Sequence, residues 1–165
     1  MTNLRNIVTM NNVENSFWMK QLVSKFTSRV EANSRLVLPA CLHKQLGNEV
    51  VVTNSLDYGY LCIYTPERFS DIEKQLGSLN ALNANVRKLR RVVIGESERL
   101  TINSKHEITI SEELLGRVEA VVGDVLCLFG YDDKVEVCTK SFYDTSDNDV
   151  SSIDDMSSLY YISSL

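Results

Sequence analysis

The sequence predicts an α+β, strand-rich fold built from two tandem halves related by a pseudo-twofold axis and joined by helices. Three features predict it. Apolar residues alternate with polar ones in several short runs, the period of half-buried strands. Short segments bracketed by Pro, Ser or Thr at the front and Gly at the back carry apolar residues at helical spacing. The order of these elements then repeats, with residues 31–39 falling on 103–111 at an offset of 72.

Each element follows from its local pattern. Leu22, Phe26 and Val30 lie on one face of a first strand, with Lys25, Thr27 and Arg29 on the other. A turn at Ala32, Asn33 and Ser34 leads to a return strand with Leu36 and Leu38 inward, so Arg35 stands beside a hairpin turn. Pro39 suits the first turn of a short helix that buries Leu42 and Leu46 on its inner face and stops at Gly47. Strands follow at 50–53 and 61–64. Thr65 caps a helix with Pro66 at its first position and Phe69, Ile72, Leu76 and Leu79 along one side, interrupted near Gly77. A further helix over 85–94 places Val86, Leu89 and Val93 in a stripe. The second round has strands at 97–103 and 108–110, a helix capped by Ser111, and strands at 125–129 and 135–138 separated by Gly130, Tyr131, Asp132 and Asp133. The expected organisation is an extension at 1–19, a first half at 25–68, linking helices at 69–96, a second half at 97–140 and an acidic tail at 144–165.

Charge is distributed unevenly. The chain of 165 residues has a formal net charge of −5, but the five aspartates after residue 143 stand with no Lys or Arg, so the body is neutral. Within that body, Lys20, Lys25, Arg29, Arg35 and Lys44 face the single acid Glu31 over residues 19–44, and Arg87, Lys88, Arg90 and Arg91 form a second basic cluster. Basic faces on a neutral body permit nucleic-acid binding without requiring it. With 44% hydrophobic and 24% charged residues, collagenous and wholly disordered readings are excluded. No apolar run has the roughly 18 residues of a membrane helix, so a cytoplasmic protein is expected. Cys62, Cys127 and Cys138 sit in strand-like runs as apolar fillers, and the four cysteines and two histidines lack zinc-site spacing. No P-loop, GxSxG elbow or GxGxxG is present, which argues against an enzyme.

These residues resemble the MraZ family of bacterial transcriptional regulators, whose protomer contains two SpoVT/AbrB-type swapped-hairpin halves. The resemblance runs from about Lys20 to Tyr143. The family pattern D-x-x-G-R-[LI]-x-[IV]-P stands here as Glu31, Ala32, Asn33, Ser34, Arg35, Leu36, Val37, Leu38, Pro39. Further matches are Thr53 to Asp57 with Leu61 to Tyr64, the helix end Arg91, Val92, Val93, Ile94, Gly95, and the segment Phe129 to Val137. Glu31 stands for the usual Asp and Ser34 for the Gly. In the second copy of the motif the apolar positions remain, but Glu107 stands where the first copy has Arg35, so that half is expected to be scaffold.

The resemblance implies double-stranded DNA as the partner, no cofactor, no small-molecule substrate, no membrane contact and a nucleoid-associated protein. It also implies a ring of identical subunits, usually octameric, on tandem short repeats upstream of the division and cell-wall gene cluster. The DNA-binding candidates are Lys25, Arg29, Asn33, Ser34 and Arg35: Lys25 and Arg29 would meet phosphates, while the Arg35 fork suits guanine O6 and N7. An ion pair with Glu31 is the competing role for Arg35. Arg87, Lys88 and Arg91 include an i, i+4 like-charge pair that calls for an answering anion, and are assigned a structural or intersubunit role. The alternative reading of the whole is a structural or protein-interaction oligomer, or an antitoxin-like partner binder, that has lost part of its DNA binding.

Overall fold

The alternating pattern that opens the structure becomes β1 (Ser24–Glu31), in which Val30 is buried while Lys25, Thr27 and Arg29 are exposed. The structure, a computed structural model, describes residues 24–131 and 133–147. The expected extension at 1–19 and the tail from 148 onward lie outside the described residues.

After a tight turn (Ala32–Ser34), β2 (Arg35–Val37) returns antiparallel to β1, with Val30 opposite Leu36 and Glu31 opposite Arg35. Asn33 and Ser34 are both left-handed, at φ 61° and 58°. Then come α1 (Ala40–Leu46), β3 (Glu49–Asn54), β4 (Leu61–Tyr64), α2 (Pro66–Ser78) and α3 (Ala84–Arg90), which widens into a π-type turn over Arg91–Gly95. The second round is β5 (Glu98–Thr101), β6 (Glu107–Thr109), α4 (Glu112–Arg117), β7 (Val125–Tyr131) and β8 (Lys134–Thr139).

The α+β, strand-rich class is as the sequence predicts, and the eight strands form one antiparallel sheet in the order β5-β3-β4-β8-β7-β1-β2-β6. The end strands β5 and β6 are joined by their own hairpin turn, where the Glu107 carbonyl accepts from Asn103 N–H at 3.0 Å, so the sheet nearly closes on itself. Pairing is exchanged between the rounds: β1 pairs with β7, and β5 pairs with β3. The pseudo-axis passes between β2 and β6, where Leu36 lies opposite Ile108. Two hydrogen bonds reciprocate across it, Leu38 N–H to the His106 carbonyl at 2.8 Å and Ile110 N–H to the Ser34 carbonyl at 3.2 Å. His106, 72 residues after Ser34, repeats its left-handed backbone with φ 64°.

Side chains from both rounds fill the interior, among them Leu36, Leu38, Ile108, Ile110, Leu126 and Leu128. Outside β3, a second cluster of Val51, Phe69, Leu76 and Val93 seats α2 and the π-type turn. That turn opens because β3 takes its carbonyls. Thr53 Oγ1 donates to Val93 at 2.5 Å, and Asn54 Nδ2 donates to Val92 at 2.9 Å.

Four details differ from the sequence expectation. Pro39 stands just ahead of α1 as its cap, its carbonyl accepting from His43 N–H at 3.0 Å. Helix α2 continues through Gly77 to Ser78. Gly130 and Tyr131 belong to β7, paired with Val135 and Lys134. After β8 the chain forms a helical turn, α5 (Lys140–Phe142), and a wide turn over Tyr143–Asp147. Thr139 caps α5 by accepting from Phe142 N–H at 3.1 Å, as Thr65 caps α2 by accepting from Arg68 N–H at 3.2 Å. The Tyr143 ring lies beside Phe129 at 5.0 Å between centroids. The outer face of β7 is therefore covered by a shortened counterpart of α2. Cys62, Cys127 and Cys138 are buried and Cys41 is exposed. Burial pushes the Cys62 and Cys127 thiols up from their ordinary range.

Candidate nucleic-acid interface

Strand periodicity sets which side chains share a face. Lys25, Thr27, Arg29 and Glu31 alternate outward along β1, and Arg35 joins this face from β2 because it lies opposite Glu31. Lys25 and Arg29 stand about 13 Å apart at the usual rise per residue. Lys25 is exposed, with Nζ 4.2 Å from the centre of the Tyr143 ring and 5.7 Å from that of Phe129. Arg29 is exposed and donates from Nη1 to the Gly123 carbonyl at 2.5 Å. That contact holds its guanidinium beside the loop ahead of β7.

At the hairpin turn Asn33 is exposed, whereas Ser34 is only 6% exposed. Ser34 contributes its left-handed backbone, the conformation that glycine adopts most easily. Arg35 keeps 43% of its side chain exposed and is held by two carboxylates. Its Nη2 and Nε donate to Glu31 Oε2 at 2.6 and 3.1 Å, and Nη1 lies 3.5 Å from Glu107 Oε1. The Glu31 hydrogen bond, with the charges of Glu107 and Glu31, raises the arginine's pKa further. The i, i+4 ion pair seen in the sequence is thus present, and a second carboxylate closes it from β6.

Glu107 sits at the position equivalent to Arg35. Its other oxygen accepts from Asn103 Nδ2 at 2.8 Å, and Asn103 is in turn the equivalent of Glu31. A groove of about 470 Å³ opens beside this cluster, lined by Asn33, Arg35, Arg99, Asn103, Glu107 and Thr109. Arg99 was not among the sequence candidates. The alternation of β5, with Arg99 and Thr101 outward, is the signal that locates it. Its Nη2 lies 3.6 Å from Glu73 Oε1, so it too is partly engaged. The groove sets two guanidiniums beside the Glu107 carboxylate and the amides of Asn33 and Asn103.

The second basic cluster divides in two. Arg90 donates to the carbonyls of Leu76, Gly77 and Leu79 at 2.9, 3.1 and 2.9 Å, capping the C-terminus of α2. Arg87 donates to the Ala81 and Leu82 carbonyls at 2.9 and 2.7 Å. Arg87 and Arg90 are thus held by backbone carbonyls. Lys88 and Arg91 are exposed and make no ion pair among the described residues.

The two histidines meet between α1 and the β5–β6 turn, His43 Nδ1 to His106 Nδ1 at 2.6 Å. His43 Nε2 bonds Asn48 Oδ1 at 3.0 Å. Among the described residues no three His, Cys, Asp or Glu side chains gather as a metal-holding group. Nor is any described helix long and apolar enough to cross a membrane.

A scan of the chain against protein-family models gives no match. Whole-chain comparison does find relatives, each named transcriptional regulator MraZ. One from Thermoanaerobacter sp. (strain X514) is 24% identical over 127 residues, covering 77% of this chain and 87% of the relative. One from Coxiella burnetii (strain RSA 493 / Nine Mile phase I) is 28% identical over 124 residues, covering 73% and 80%. A shorter match from Limosilactobacillus fermentum is 35% identical over 72 residues, 42% of this chain and 48% of the relative.

Proposed function

We propose that this chain, whose resemblance to the MraZ regulators extends over about three quarters of its length, is a sequence-specific DNA-binding transcriptional regulator. The observation that carries the reading is the hairpin of residues 24–37. The family-like motif forms an accessible turn there, and Lys25, Arg29 and Arg35 share its outer face. Lys25 and Arg29 contact phosphates and Asn33 lies at the tip. Ser34 holds the turn in shape, and Arg35 exchanges Glu31 and Glu107 for a base edge or phosphate.

One hairpin makes few contacts, so useful affinity requires several copies on one DNA. A ring homo-oligomer, an octamer by resemblance, bound to tandem short repeats upstream of the division and cell-wall gene cluster would supply them. Lys88 and Arg91, exposed on the linking helix, would then meet carboxylates of a neighbouring subunit. The setting is cytoplasmic and nucleoid-associated, and the reaction class is binding rather than catalysis.

A gel shift on the DNA upstream of the gene tests this. Wild-type protein should bind at low salt and weaken as salt rises. Arg35→Ala should weaken binding about ten- to a hundredfold with oligomer size unchanged, the loss expected for a bidentate contact. Unaltered binding would sink the assignment. Glu107→Ala should leave binding equal or slightly tighter, since it removes a competitor for the same guanidinium. The double clasp on Arg35 favours a second reading, a structural or partner-binding oligomer with waning DNA affinity; absence of any shift at low salt would select it.

A further inference from the structure

We propose that the outer face of β4, β8 and β7 carries a binding site for a small organic cation of the quaternary ammonium class, held by aromatic rings and the Asp57 carboxylate. The site is separate from the DNA-binding reading above and does not depend on it.

Strand register assembles the site. Phe129 and Tyr131 are two residues apart on β7, so both face away from the interior, and Glu136 lies opposite Phe129 on the outer face of β8. Tyr60 leads into β4, the strand beside β8. The turn after β8 then brings Phe142 and Tyr143 over the same face. Tyr143 lies 5.0 Å from Phe129, and Phe142 lies 5.8 Å from Tyr60 and 6.1 Å from Tyr58, centroid to centroid. The planes of Tyr60 and Phe142 meet at 85° and those of Tyr58 and Phe142 at 67°, so the rings form walls rather than a stack. Between them opens a groove of about 480 Å³, within the roughly 300–1,000 Å³ of small-molecule sites.

Charge identifies the ligand class. Six aromatic side chains and two carboxylates, Asp57 and Glu136, line the groove, and no lysine or arginine does. The Glu136 side chain is 13% exposed and is answered by Lys134 at 2.8 Å. Asp57 is exposed and makes no ion pair among the described residues, so one negative charge in the lining stands unanswered. A phosphate or carboxylate ligand would be repelled. These rings already hold cations where the chain supplies them. The Lys25 ammonium lies 4.2 Å from the centre of Tyr143, and the Lys134 ammonium 4.9 Å from that of Tyr131. Neither lysine lines the groove, which leaves its interior to a cation from outside.

Hydration decides between cations. A metal ion or a primary ammonium needs oxygen acceptors to replace its water, and the groove offers chiefly ring faces. A quaternary ammonium donates no hydrogen bonds, so ring faces with one carboxylate satisfy it. Tyr58, 78% exposed, is the wall that lies furthest from the core.

Saturation-transfer NMR on the full chain, with choline and with tetramethylammonium, reads the site through the N-methyl protons, and a titration gives the affinity. Both should bind with Kd on the order of 1 mM. Dimethylbutanol, the neutral carbon counterpart of choline, should bind about tenfold more weakly. Tyr58→Ala should weaken choline binding about tenfold and Asp57→Asn about threefold, while Tyr58→Phe, which keeps the ring, binds like wild type. Circular dichroism checks that each variant is folded. Absence of saturation transfer at tens of millimolar would overturn the proposal. So would equal affinity for the neutral counterpart, or full binding by both Tyr58→Ala and Asp57→Asn. Cosedimentation with phosphatidylcholine vesicles would identify a lipid headgroup as the source of the cation, and choline binding without cosedimentation a free compound; either supports the site. No DNA enters these measurements, so their failure and that of the regulator reading are separate results.

Discussion

Gly59 offers a sharp test of how the C-terminal segment is seated. Its backbone is left-handed at φ +82°, and a Cβ placed there would fall 2.7 Å from Phe142 Cζ and 2.8 Å from Cε1. Gly59→Ala therefore has two separable costs. Holding a residue with a Cβ in the left-handed region costs about 1–2 kcal/mol. The clash is relieved only if the Phe142 ring moves out, which forfeits edge contacts with Tyr58 and Tyr60 worth about 0.5–1.5 kcal/mol each. The combined loss is about 2–5 kcal/mol, a fall in Tm of about 4–20 °C for a chain of this size. Thermal unfolding followed by circular dichroism measures it, and a double-mutant cycle divides it. In a Phe142→Ala background the same glycine substitution should cost only the backbone share, about 1–2 kcal/mol. An equal cost in both backgrounds would refute the close packing of ring on glycine, and no cost in either would refute the left-handed turn.

Other expectations concern separate parts of the molecule. Ser34→Gly should stabilise the protein by about 0.5–1 kcal/mol, because relief of the positive φ exceeds the added freedom of the unfolded chain; denaturant titration measures it, and destabilisation would contradict the turn geometry. Arg90→Ala should cost about 1 kcal/mol by uncapping α2, seen as a lower denaturation midpoint and faster amide exchange at residues 76–79. In native protein Cys41 should react with a thiol reagent well before the other three. Burial raises the pKa of Cys62 and Cys127, which leaves less thiolate at pH 8, and denaturation should release all four.

Local chemistry made much of the fold legible. The alternation of Phe26 and Val30 against Lys25 and Arg29 located β1 and its outward face, and Thr65 with Pro66 marked the start of α2. The repeat at 72 residues found equivalent positions such as Leu36 and Ile108. What it could not show is that these equivalents touch, since β2–β6 pairing depends on how the rounds exchange strands rather than on any local pattern. For the same reason Glu31 was visible as a partner of Arg35 while Glu107 was legible only as its counterpart. Gly130 and Tyr131 have the composition of a loop, yet pairing with β8 draws them into β7. Thr139 is an ordinary helix cap, but the turn it starts is three residues long, too brief for a periodic signal. The aromatic anchors Phe142 and Tyr143 therefore leave no periodic signal in the sequence.

The meeting of Arg35 with Glu107 also bears on what fusing two copies allows. In a dimer of identical chains, residues related by the twofold axis must be the same, so a position close to the axis places like beside like. Joining the copies in one polypeptide lifts that constraint, and each site can then mutate alone. An arginine facing a glutamate at equivalent positions is a contact that no symmetric pair of separate chains could make. It lets one copy specialise toward a ligand while its twin supplies the counterion.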